Sequence, residues 1–343
     1  MYHQSIINIK PLGFQWETND PFLFCAHHHD DYPAGNDSFG PQASLAGRSL
    51  GQDFDAANPW RMYHGRIVPG FPAHPHRGFE TITIVLNGFV DHSDSNGAAG
   101  RYGNGDVQWM TAGSGLQHAE MFPLLYQDQP NPLELFQVWL NLPAASKFAQ
   151  PFFKMLWAED IPVVTVADEA GRKTSITIIA GNLAGTHALP PAPDSWAADP
   201  ANEVGIWLVQ MQPEATWQLP AASQPLSRSL YFFRGDALSV AGVSIPPQHS
   251  VDLLVDLPLI LKNGEEDGFF LILQGKPIDE PVSQYGPFVM NTRAEIQQAM
   301  VDYHNTQFGG WPWDRDDNVH PRSAGRFARY EDGSREEKKE ADR

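Results

Sequence analysis

The sequence predicts an all-β protein of two tandem antiparallel β-barrels with one helix near the C-terminus. Three observations carry this. Of 343 residues, 29 are glycine and 29 proline, together above the usual share, while charged residues at 19% fall below it, a composition of short strands and turns. Phe79-Glu80-Thr81-Ile82-Thr83-Ile84-Val85-Leu86 alternates β-branched residues and runs into Asn87-Gly88, the positive-φ pair of a two-residue hairpin turn. The pattern then returns a domain's length later, where Ser229-Leu230-Tyr231-Phe232-Phe233 meets Arg234-Gly235-Asp236.

In the first half, Phe89-Val90-Asp91-His92-Ser93 is the return strand, followed by Val107-Gln108-Trp109-Met110 and Leu133 to Leu140. The Pro-rich, polar stretch Leu189 to Pro200 reads as the junction, giving domains 1–190 and 191–313. Near the end, Thr292-Arg293-Ala294-Glu295 forms a capping box, and Ile296, Ala299, Met300 and Tyr303 follow at helical spacing, so a helix is expected over 292–305 with Gly309-Gly310 as its stop. Residues 314–343 are polar and of mixed charge, and a flexible tail is expected there.

The formal net charge is −18, and the tail is balanced, so the deficit lies on the body. Such a surface repels a phosphate backbone, which argues against direct nucleic-acid binding. No run of apolar residues approaches a membrane span. Cys25, the single cysteine, allows neither an intramolecular disulfide nor a cysteine-rich metal site, and a reducing, cytoplasmic setting is expected.

Two pairs carry the chemistry. His74-Pro75-His76 and His118-Ala119-Glu120 each place two ligand types at i, i+2, which extended backbone puts on one face. Brought together, three imidazoles and a carboxylate suit a divalent ion such as Fe(II), Mn, Ni or Zn. A lone histidine is more often a satisfied core residue, but two matched pairs flanking one hairpin favour a metal site.

The segments His74-Pro75-His76-Arg77-Gly78-Phe79-Glu80-Thr81, Gly105 to Gly113, His118-Ala119-Glu120-Met121 and Gly286-Pro287-Phe288-Val289-Met290-Asn291-Thr292 resemble the signatures of the pirin family. The resemblance spans roughly Asp20 to Gly310. It implies a bicupin fold of jelly-roll type and one metal, Fe(II) foremost with Mn, Ni, Co or Zn as further candidates, held by His74, His76, His118 and Glu120. A broader cupin pattern would nominate Glu80 as the carboxylate ligand; Glu120 is favoured here, with Glu80 as a strand residue behind the site. In the second half Ala215-Thr216-Trp217-Gln218-Leu219 stands where the first histidine pair would lie, so that barrel is expected to be metal-free.

An insertion from about Cys25 to Pro59 departs from the family and is placed to cover the barrel mouth, and its His27-His28-His29-Asp30-Asp31 reads as a solvated loop. Gly97 to Gly105 leads into a strand and is a turn, not a phosphate loop. Gly113-Ser114-Gly115 lacks the outer glycines of a nucleophile elbow. The resemblance implies a quercetin 2,3-dioxygenase type of activity, opening a flavonol or similar small aromatic substrate with O2, with Glu120 as proton acceptor. The alternative it implies is a non-catalytic regulator that binds a metabolic enzyme or transcription factor according to iron oxidation state.

Overall fold

Val-, Ile- and Phe-rich segments separated by positive-φ turns fold into antiparallel sheets in the structure, a computed structural model that describes residues 5–223 and 225–338. The sheets do not close into barrels; they form open jelly-roll arrangements in two compact units. No helix among the described residues is long and apolar enough to cross a membrane.

One unit comprises the chain up to Cys25 with Glu159–Asp279. Its seven-stranded sheet has Ile6–Pro11 at one edge, paired with His249–Leu253, and Val163–Ala167 at the other. A four-stranded sheet includes Thr216–Leu219. Ala215, Trp217 and Leu219 point into an apolar core with Trp207, Phe232 and Phe270, so the positions matched against histidines are core-forming here.

The other unit comprises Ala26–Ala158 and the chain from Glu280 onward. Its first sheet orders the strands Phe152–Leu156, Val107–Thr111, Phe79–Asn87, Asn131–Asn141 and Phe22–Tyr32. Its second runs Arg335–Lys338, Arg326–Arg329, Ala99–Gly103, Phe89–Asp94, Leu116–Met121 and Gly70–His76, the last at the edge.

These units correct the boundaries expected at 190 and 313. The chain up to Cys25 and residues 159–190 belong with the second-half unit, whose large sheet is extended by Ile6–Pro11, Val163–Ala167 and Lys173–Ala180, long-range pairings without local signal. The helix, Arg293–Thr306, has the expected capping box at Thr292 and Glu295, yet it packs through Ile296 and Ala299 on Phe288 and Met290 of the histidine-bearing unit.

The tail is also corrected. Arg326 makes a double hydrogen bond with Asp106 (2.8 and 2.6 Å), and Arg101 does the same with Asp91 (2.7 Å each) while donating to the carbonyls of His320, Pro321 and Ala324. All four charged groups are buried, so residues that composition marks as solvated are what fasten this segment. Residues 339–343 lie outside the described residues.

Candidate metal centre

Gly70–His76 is an edge strand, which lets it carry Pro72 and Pro75 without breaking a ladder on both sides. Its register against Leu116–Met121 pairs Phe71 with Glu120 and His74 with His118, with an irregularity between. This bulge accommodates one extra residue, so Phe71, His74 and His76 all face the same way as His118 and Glu120. Ala73, displaced from the ladder, donates its N–H to the Asp316 carbonyl at 2.8 Å.

The ligand atoms of His74, His76 and His118 lie within 4.8 Å of one another, the single such group of His, Cys, Asp and Glu side chains among the described residues. Their ring centroids are 4.5 to 4.9 Å apart. His74 Nδ1 lies 2.8 Å from the Pro72 carbonyl, and His76 Nδ1 makes a longer contact, 3.4 Å, with that of Pro287. A nitrogen facing a carbonyl must carry the proton, so in the neutral rings both Nε2 atoms present lone pairs. These two Nε2 atoms face each other at 3.1 Å. Two lone pairs at that distance repel, and a cation between them turns the repulsion into coordination.

His118 strengthens the fit, because it is fully buried and neither ring nitrogen has a hydrogen-bond partner. A buried polar ring left in this way costs ~1–3 kcal/mol unless something binds it. Burial keeps all three imidazoles neutral: the pKa of His74 is pushed down to about 4, and those of His76 and His118 fall well below the ordinary histidine value. Neutral imidazoles are the form that binds a metal. The residues therefore fit a divalent transition ion of the kind nitrogen ligands hold.

Glu120 stands beside this triad rather than within it. Its Oε2 is 3.7 Å from His118 Nε2, while its oxygens accept hydrogen bonds from Thr83 Oγ1 (2.9 Å) and Gln137 Nε2 (2.5 Å). Burial raises its pKa, opposed by these donors and by His92. Glu80 is fully buried and accepts from Thr111 Oγ1 at 2.7 Å.

Sequence reading passed over His92, which is fully buried, lies opposite Glu120 in the ladder and has its ring 5.7 Å from that of His118. The signal was available: His92 and Asp94 form a third i, i+2 pair, on the return strand of the Asn87-Gly88 hairpin. Gln137 and Thr83 carried no such signal, since only strand pairing brings them to Glu120.

The His27-His28-His29 cluster lies on the strand Phe22–Tyr32, not in a solvated loop. Alternation buries His28 against Tyr63, Phe71 and Phe122, leaves His29 exposed and sets His27 Nε2 3.0 Å from Glu134. His28 thus points away from His27 and His29, whose rings lie parallel on the other face with centroids 6.3 Å apart, so the three do not converge. Cys25 is buried, and its thiol pKa is raised by burial.

The remaining motif residues hold the first histidine segment in place. Gly78 has φ +87°, and a Cβ there would fall 1.9 Å from the Val289 carbonyl, so only glycine fits. Val289 donates to the Arg77 carbonyl at 3.0 Å. Buried Lys147 donates to the carbonyls of Gly78 (2.8 Å) and Val289 (3.2 Å) and to Asn141. Phe79 stacks on Trp139, which stands edge-on to His76 with ring centroids 5.2 Å apart.

Comparison with known proteins gives two family matches: Pirin over residues 11–140 and the Pirin C-terminal cupin domain over residues 206–309. A Pseudomonas aeruginosa protein with the provisional name quercetin 2,3-dioxygenase is 37% identical over 281 residues, covering 79% of this chain and 93% of its own. Mouse pirin is 33% identical over 275 residues, covering 76% and 87%. The crystal structure of quercetin 2,3-dioxygenase from Acinetobacter baumannii aligns with TM-score 0.68 at 27% identity, covering 89% of this chain and 98% of that one.

Proposed function

The chain belongs to the pirin family, and from that premise we propose that its three-histidine centre holds one divalent transition metal, Fe(II) foremost and Mn, Ni, Co or Zn as substitutes, in a cytoplasmic dioxygenase of the quercetin 2,3-dioxygenase type. The substrate is a flavonol or a similar small aromatic compound, and ring opening with O2 releases CO. The observation that carries the reading is His118, buried with both nitrogens unpartnered beside two imidazoles whose Nε2 lone pairs converge. When bound, such an ion supplies Lewis acidity and redox chemistry toward O2.

The chain's own groups do the rest. His74 and His76 are oriented by the carbonyls of Pro72 and Pro287, so that each offers Nε2. Glu120 is the fourth ligand and the group that takes the substrate's hydroxyl proton at Oε2, the oxygen nearer His118. Its raised pKa makes it a better proton acceptor than an exposed carboxylate. Phe71 packs against His74, and Phe79 and Trp139 against His76, so apolar rings surround the histidines and help exclude water.

The strongly acidic charge of −18 would also suit a protein partner, as in the iron-redox-dependent regulator. The test is CO release together with loss of flavonol absorbance, with and without air, on metal-loaded protein. O2-dependent turnover supports the enzyme; no turnover with Fe, Mn, Ni or Co leaves the regulatory reading.

A further inference from the structure

The sheet that carries the metal histidines at one edge ends at the other in the hairpin Arg326–Arg329 and Arg335–Lys338. Its register sets Arg329 directly opposite Arg335, with Ala99 opposite Arg329 on the next strand. Directly opposed residues share a face with Cβ atoms about 5 Å apart, where like charges destabilise a sheet. Two arginines therefore start side by side on the outer face, one reaching over Trp313 and the other over Phe327.

Neither has a buried carboxylate partner among the described residues. Arg329 donates to the Gly97 carbonyl at 3.1 Å and lies over the Trp313 ring at 5.1 Å, but pairs with no carboxylate among the described residues. Arg335 lies over Phe327 at 4.5 Å and meets Glu337 at 2.9 Å, a pair whose side chains are 49% and 71% exposed. An ion pair that exposed contributes little.

Both arginines line a cavity of about 390 Å³, walled by Trp313, Pro321, Ser323 and Phe327. Apart from Ala99, every lining residue follows Phe308-Gly309, where the family match ends, so the cavity belongs to this chain's own C-terminal segment. An apolar cavity of about 150 Å³ already accommodates benzene. A bare inorganic anion would satisfy the arginines and leave the apolar walls wet, whereas a neutral ring would leave the arginine pair unrelieved.

We propose that this cavity binds a small aromatic carboxylate, with the carboxylate between Arg329 and Arg335 and the ring against Phe327 and Pro321. Guanidinium groups match a carboxylate's two oxygens, and the surrounding rings match its apolar body. Because the contact is exposed, salt screens the attraction of the two arginines, and affinity falls as salt rises.

Titration of the full-length, metal-loaded protein with benzoate, inorganic phosphate and benzyl alcohol tests this, followed by Trp fluorescence and calorimetry. Benzoate is expected to bind with a Kd of about 1 mM or tighter, at least about tenfold more tightly than either other probe. Arg329→Gln and Arg335→Gln should each weaken benzoate about tenfold or more, while Arg329→Lys retains part of the binding. Both side chains are partly exposed, so the variants should melt close to wild type. In His118→Ala benzoate binding should persist. The proposal is overturned if benzoate binding survives both glutamine variants, is lost with His118→Ala, or is matched by phosphate.

Discussion

Replacing Glu120 with glutamine separates ligand from base. The substitution keeps the length and one acceptor oxygen, but the new amide nitrogen must sit where Oε1 or Oε2 now accepts. Facing Gln137 Nε2, which now lies 2.5 Å from Oε2, it would set donor against donor. Turning the Gln137 amide over relieves that clash, yet withdraws the oxygen to which Trp139 Nε1 donates at 3.2 Å. In that orientation one buried donor loses its acceptor, a cost of ~1–3 kcal/mol; with the nitrogen at Oε1 instead, the Thr83 hydroxyl can turn to accept from it and the cost is smaller. For a unit of this size each kcal/mol lowers Tm by about 2–4 °C. Metal content should fall only in part, whereas flavonol turnover should fall by about a hundredfold or more, because an amide cannot take the substrate proton. The assay is CO release and flavonol absorbance at matched metal content, alongside thermal melts and Glu80→Gln. Near-wild-type turnover in Glu120→Gln with a dead Glu80→Gln would refute the assignment and give the carboxylate role to Glu80.

Further outcomes concern the frame around the site. His76→Ala and His118→Ala should each lose most of the bound metal yet keep wild-type far-UV circular dichroism, while His27→Ala, outside the triad, should keep the tightly held equivalent. His28, whose pKa burial pushes down to about 3, must become charged on unfolding below its ordinary value. The stability it contributes is therefore present above about pH 6.5 and lost as pH falls toward its folded pKa, by about 2 kcal/mol at pH 5; chemical denaturation at about pH 7 and pH 5 should show a smaller loss in His28→Leu. Arg326→Met leaves the buried Asp106 carboxylate without its guanidinium and should cost ~3–5 kcal/mol, seen as earlier urea unfolding and faster proteolysis of the C-terminal segment.

The histidine pairs were legible because extended backbone has a period of two, and the capping box because its four residues are contiguous. The bulge between Phe71 and His74 was not, since nothing local marks where a strand takes in an extra residue. Nor was the order of the C-terminal segment: Asp91, Arg101, Asp106 and Arg326 count as solvated charges in composition, and only their pairing across the fold buries them. The His27–His29 run misled for the opposite reason, because a strand of polar residues lacks the apolar alternation by which strands are recognised, although His28 and Asp30 point inward. Glu120 was legible as a neighbour of the triad, but its ties to Thr83 and Gln137 depend on strands far apart in sequence.

The central claim is that His74, His76 and His118 hold a transition metal, and elemental analysis of protein purified without added metal tests it most directly, run in parallel on His118→Ala. The expected result is close to one equivalent of iron per chain in wild type and a small fraction of that in the variant. Metal far below one equivalent in wild type, or an equal amount in the variant, would contradict it.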